Sequence, residues 1–156
     1  MKSNVRIALV ALGLVAGLVA SGEAQTKNLH IGPRVSFDFD AEFVGVGAQV
    51  GIPLGNRVEF YPSFDYFFAE DDQKLWAINA DIKARIFGQR MEWLYTGAGV
   101  AMEHVEVSPF DDTDPGVNLF IGAETIRGRI HPFAEARLRF ADRNSFALSA
   151  GLNFTL

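Results

Sequence analysis

From Leu29 onward, apolar side chains return at every second position, the period of a strand whose two faces meet different surroundings. Eight runs carry this pattern. The first shows Leu29, Ile31, Pro33, Val35, Phe37 and Phe39, and the second Val44, Val46, Ala48, Val50, Ile52 and Leu54. The third has Val58, Phe60, Pro62, Phe64, Tyr66 and Phe68; the fourth has Trp76, Ile78, Ala80, Ile82, Ala84 and Ile86. Leu94, Thr96, Ala98, Val100 and Met102 mark the fifth, and Val117, Leu119, Ile121, Ala123 and Thr125 the sixth. The last two are Ile130, Pro132, Ala134, Ala136, Leu138 and Phe140, then Phe146, Leu148, Ala150, Leu152, Phe154 and Leu156. None of these positions is charged, although charged residues make up 21% of the chain.

The intervening positions are polar, small or charged. They bring Arg34, Ser36 and Asp38, then Gly45, Gly47, Gln49 and Gly51, then Glu59, Ser63 and Asp65. Asn79, Asp81, Lys83 and Arg85 follow, then Asn118, Gly122 and Glu124. Glu135, Arg137 and Arg139 precede Ser149, Gly151 and Asn153. Eleven of these are expected to form a charge network: Arg34, Asp38, Glu59, Asp65, Asp81, Lys83, Arg85, Glu124, Glu135, Arg137 and Arg139.

Alternation alone does not say which face is inside. A soluble lipocalin-like barrel buries its apolar rows, whereas a membrane barrel shows them to lipid. Two features point to lipid. The polar rows are rich in Gly, Ser and Asn with nearly balanced charge, which suits a narrow lumen better than a water-facing surface. The connections also alternate in length. Short turns, Gly55-Asn56, Gly88-Gln89-Arg90 and Arg127-Gly128, alternate with longer segments at Asp40–Glu42, Ala69–Lys74, Glu103–Pro115 and Ala141–Asn144. Short periplasmic turns with longer external loops are the membrane-barrel arrangement. Proline within strands, at Pro33, Pro62 and Pro132, is neutral or slightly adverse to this reading.

The aromatics sort by height. Phe37, Phe39, Phe64, Tyr66, Phe68, Trp76, Phe140 and Phe146 all lie on apolar rows near the long-loop end, as expected of a girdle at the headgroup level. The expected architecture is therefore all-β: an eight-stranded antiparallel up-and-down transmembrane β-barrel.

Residues before this pattern read differently. Lys2 and Arg6 precede an unbroken apolar run of 14 residues, Ile7 to Ala20. A spanning helix needs about 20, so the run fits a cleavable signal peptide ending at Gly22-Glu23-Ala24. Residues 1–24 are thus expected to be removed, and 25–156 to form the barrel. The whole chain's 156 residues suit one domain, and the absence of cysteine excludes disulfides and thiolate metal sites. A pI near 5.1 offers no basic stripe for nucleic acid.

The chain resembles the small outer-membrane barrels of the OmpA and OmpX kind over residues 27–156. The last hairpin carries this best, Pro132-Phe133-Ala134-Glu135-Ala136-Arg137-Leu138-Arg139-Phe140 followed by Phe146 to Phe154. The resemblance implies insertion into outer-membrane lipid as a monomer, with the barrel-assembly machinery reading the C-terminal strand. Such chains usually end in an aromatic residue; this one ends in Leu156, with Phe154 two before it.

Catalytic chemistry is not expected. The outward rows contain no Ser, His, Asp or Glu, so a lipid-facing hydrolase has no nucleophile and base there. Ser36, Ser63 and Ser149 read as packing or hydrogen-bonding residues of the lumen. His30 and His131 are expected near the periplasmic mouth as satisfied polar groups; two His with no third ligand make no metal site. The external acids (Asp40, Glu42, Glu70, Asp71, Asp72, Glu103, Glu106, Asp111, Asp112, Asp114 and Asp142) read as solvated, since Asp111-Asp112-Thr113-Asp114 lacks the glycine and terminal glutamate of a calcium loop. No cofactor is expected. The sequence favours an outer-membrane protein with a structural or surface-interaction role and a salt-bridged, closed lumen. A small passive pore and a soluble exported lipocalin-like binding barrel stand as alternatives.

Overall fold

The computed structural model of the chain describes residues 29–68, 74–86, 92–107 and 110–156, with their side chains except those of 107, 110 and 111. The expected signal peptide, the Gly88-Gln89-Arg90 turn and the acids Glu70, Asp71 and Asp72 lie outside the described residues.

Eight strands follow one another: β1 (His30–Asp38), β2 (Phe43–Pro53), β3 (Val58–Phe68), β4 (Lys74–Arg85), β5 (Leu94–Val107), β6 (Phe110–Glu124), β7 (Ile130–Phe140) and β8 (Ser145–Thr155). Each pairs antiparallel with the next, and β8 returns to β1 to close the barrel. The seam runs from His30 opposite Thr155 to Asp38 opposite Ala147. Closure leaves no unpaired sheet edge along the seam, the condition for a sheet to sit in hydrocarbon.

The faces are settled by exposure. Outward-row residues such as Ile31, Val35, Val46, Ile82, Val100, Leu119, Leu138 and Leu148 are exposed around the barrel, while Arg34, Gln49, Asp81, Lys83, Asn118 and Glu135 are buried within it. This inverts a soluble protein.

Two sequence expectations need correction. Glu103–Pro115 was expected as a long loop, but β5 runs to Val107 and β6 begins at Phe110. The β5–β6 ladder continues through Glu103 opposite Asp114 and His104 opposite Thr113, whereas β6 pairs with β7 only from Val117 opposite Phe140. β4 follows β5 there as far as Lys74 opposite Glu106, so this stretch belongs to the barrel wall, and backbone pairing holds it with polar residues as well as apolar ones. The inward rows, expected polar, small or charged, also hold Tyr61, Phe67, Leu75, Tyr95, Phe120 and Phe133, all buried.

Glycine makes room for these rings. Gly97 faces the Phe120 ring and Gly122 the Tyr95 ring so closely that a Cβ at either would overlap it. Gly128, at φ +88°, takes the left-handed conformation in the β6–β7 turn.

Candidate functional site

The lumen is built in layers along the barrel axis. Nearest the β2–β3 and β6–β7 turns, Lys83 Nζ lies 2.7 Å from Glu124 Oε2 and 3.3 Å from Glu59 Oε2. Arg85 Nη2 joins the same two acids, 3.0 Å from Glu124 and 3.4 Å from Glu59. Two carboxylates thus meet two cations, and each charge taken from water has an opposite neighbour. Lys83 Nζ also sits 4.5 Å from the centroids of both the Tyr61 and Tyr95 rings, a cation–π arrangement that a soft, desolvated site strengthens.

Amides carry the network upward. Asn153 Nδ2 donates to Glu124 Oε1 at 2.6 Å, Gln49 Nε2 donates to Asn153 Oδ1 at 2.7 Å, and Arg34 Nη1 donates to Gln49 Oε1 at 3.2 Å. Arg34 is the hub of the middle layer. It lies 3.1 Å from Asp65 and 3.6 Å from Glu135, and it donates to Ser149 Oγ at 2.6 Å. Ser36 Oγ donates to Asp65 Oδ1 at 2.8 Å. On the opposite wall Arg137 bridges Asp81 at 2.6 Å and Glu135 at 2.9 Å, with its guanidinium 4.7 Å from the Phe120 ring centroid. Tyr95 OH donates to Glu135 Oε2 at 3.1 Å. Asn118 Nδ2 donates to both Asn79 and Asp81. Seven strands contribute to this layer and the charges they carry are long enough to meet across the tube.

Nearer the long-loop end the lining turns apolar: Phe67, Leu75 and Ala77 pack together, with Ala41, Phe43 and Val105 against them. Arg139 pairs there with Glu103.

The structure places all eleven expected network residues on inward rows, but not with all of the expected partners. Glu135, Arg137 and Arg139 were expected to meet Asp38, Lys83 and Glu124 among others. Instead Lys83 and Glu124 pair with each other, and Asp38 turns its carboxylate to the backbone N–H groups of Asp40 and Ala41, at 2.9 and 3.0 Å. A short aspartate one residue from a turn reaches those amides more easily than the far wall. Glu103, read as a loop acid, is a lumen partner. The missed signal was parity, since Glu103 shares its row with Tyr95, Gly97, Gly99 and Ala101.

His30 and His131 do meet at the turn end, with ring centroids 5.2 Å apart. Thr155 Oγ1 lies 3.2 Å from His30 Nδ1 and 3.1 Å from His131 Nε2, and His131 Nδ1 lies 2.7 Å from the Thr125 carbonyl. The pair ties β1, β7 and β8 together at the foot of the β1–β8 seam, where Leu156 N donates to Leu29 O. Among the described residues no group of three or more His, Cys, Asp or Glu could hold a metal ion.

Outside, seven of the eight aromatics make ring contacts with one another. Phe37, Phe39 and Phe146 are in contact, with centroids 4.8 and 5.4 Å apart. Phe64 and Trp76 lie at 6.4 Å, Tyr66 and Phe68 at 5.8 Å, and Trp76 stacks on His104 at 4.9 Å. Phe140 is exposed on β7 at the same end.

No protein-family model and no curated protein matches the sequence. Solved structures do. The N-terminal β-barrel domain of Pseudomonas aeruginosa OprF superposes with a TM-score of 0.69 at 15% identity, covering 83% of this chain and 98% of that one. Neisserial surface protein A gives 0.63 at 16% identity, over 86% of this chain and 100% of the other. Ail, the attachment invasion locus protein of Yersinia pestis, gives 0.51 at 17% identity, over 82% and 97%. These are small eight-stranded outer-membrane barrels. The chain therefore has the fold of a small eight-stranded outer-membrane barrel.

Proposed function

We propose that this protein is an integral outer-membrane β-barrel with a structural or surface-interaction role, inserted as a monomer through its C-terminal strand and exported by residues 1–24. One observation carries the reading: the apolar rows are exposed around the barrel while the charged rows are enclosed by it. Water would penalise that outer surface, since exposed apolar patches beyond a few hundred Å² mark an interaction site or a membrane. Hydrocarbon welcomes it. The same inversion counts against a soluble lipocalin-like carrier, whose apolar side chains would line the pocket.

The ion-pair layers across the lumen support a non-conducting barrel. An eight-stranded barrel is just wide enough for its own side chains, and here the ion-pair layers and the Phe67–Leu75–Ala77 cluster occupy it. Heat-dependent gel mobility of the detergent-extracted protein, together with its retention in carbonate-washed membranes, tests the reading. A folded band that shifts on boiling and stays with the membrane is expected. Release of the folded protein into the carbonate wash would overturn it.

A further inference from the structure

The two ends of the barrel carry opposite charge. At the loop end, among the described residues, Asp40, Glu42, Glu106, Asp112 and Asp142 are exposed against Lys74 and Arg143. At the turn end Arg57, Arg127 and Arg129 are exposed, against Glu92. The arginines lie among apolar side chains that are also exposed: Leu54, Trp93 and Ile126. Cations on two turns at opposite sides of the barrel, β2–β3 and β6–β7, mixed with Leu, Ile and Trp make an interrupted collar of a kind that a membrane interface accepts, because the rings and stems stay in the apolar zone while the guanidinium groups reach phosphate.

Height places this collar at a headgroup layer. The 11 residues of β7, from Ile130 beside the collar to Phe140 in the aromatic girdle, rise about 25 Å at ~3.3 Å per residue and ~40° tilt. That matches the ~25 Å apolar band of an outer-membrane barrel. Girdle and collar are therefore one hydrocarbon thickness apart.

We propose that the collar Arg57, Arg127 and Arg129 binds the phosphates of anionic phospholipids in the leaflet that meets the turns, and so anchors and orients the barrel. The proposal rests on the membrane-spanning reading. Guanidinium groups engage phosphate oxygens in pairs, and a negatively charged surface attracts each nearby cation. The loop end, with its excess of carboxylates, repels the same lipids. The asymmetry thus gives the barrel a preferred direction with respect to anionic lipid.

The test is to fold the full chain into vesicles of phosphatidylcholine with spin-labelled phosphatidylglycerol or spin-labelled phosphatidylcholine as reporter, and to measure association with the barrel by electron paramagnetic resonance. Preference for phosphatidylglycerol of about threefold or more is expected, falling towards equality in R57Q/R127Q/R129Q and unchanged in the loop-end control D112N/D142N. Heat-dependent mobility in the same vesicles reads insertion separately, so failure to insert counts against the membrane reading and not against the collar. Should the triple variant not fold, R127Q/R129Q carries the comparison. Equal association of the two lipids with the unmodified barrel would overturn the proposal. So would a preference that survives removal of the arginines, or one abolished by millimolar inorganic phosphate, which would show a small-anion site. Arginine-dependent binding to cell-wall polymer without any lipid preference would assign the collar to a different partner.

Discussion

At the level of single residues, the protein depends on charges that have given up water and on small side chains that give them room. Arg137 holds both Asp81 and Glu135, so Arg137→Ala leaves buried Asp81 without its cation and Glu135 with Arg34 alone, 3.6 Å away. The expected cost is about 3–5 kcal/mol. Adding Asp81→Asn removes the stranded charge and should restore part of that loss, as read by the urea midpoint of the barrel in detergent. Gly122→Val should destabilise by about 1–3 kcal/mol, because its new side chain would overlap the Tyr95 ring that bonds Glu135 and press on the Ala134 carbonyl, 2.7 Å from a Cβ there. The sequence made residue parity readable but not partner choice. Parity depends only on the strand period, whereas whether Lys83 meets Glu124 or Glu135 depends on barrel stagger and side-chain reach, which no single strand contains. The inward rings Tyr61, Tyr95 and Phe120 were hidden for a related reason: a glycine opposite a ring is legible only once two strands are in register.

At the level of elements, seven connections follow the order expected from the pattern, so far as they lie within the described residues, and the eighth strand closes on the first. The β5–β6 hairpin departs from expectation because a ladder stabilised by backbone hydrogen bonds continues through His104, Glu106, Asp112 and Thr113 without apolar alternation. Sequence patterning records burial, and towards the rim, where β6 has no β7 partner before Val117, it has less to record. Removing the exposed Lys74–Glu106 ion pair at that rim by Glu106→Gln should therefore leave the unfolding midpoint of the barrel nearly unchanged, within about 0.5 kcal/mol. In contrast, β7 should tolerate little at mid-depth. Ala136 lies on the outward row opposite Ile121 and Leu148, so Ala136→Arg should cost about 2–4 kcal/mol in the inserted state. Both variants are compared by chemical unfolding in vesicles, and equal effects would show that the apolar row of β7 does not meet hydrocarbon.

For the whole molecule, function follows from having the polar groups inside. Charge layers and an apolar cluster line the tube, and under the proposed closed-lumen reading the unmodified barrel in planar bilayers should give no stable unitary conductance; reproducible discrete channels would favour the pore instead. What the barrel meets at its outer surface is the larger question, and the chain is suited to answering it because it has no native cysteine. Single cysteines at Val35, Ile82, Leu119 and Leu138, four exposed outward positions on four strands, can each carry a nitroxide in the vesicle-inserted protein. Collision rates with oxygen, which concentrates in hydrocarbon, and with a water-soluble nickel complex then report the surroundings of each. The account predicts high oxygen and low nickel accessibility at all four; high nickel accessibility at these positions in the folded, inserted protein would contradict it.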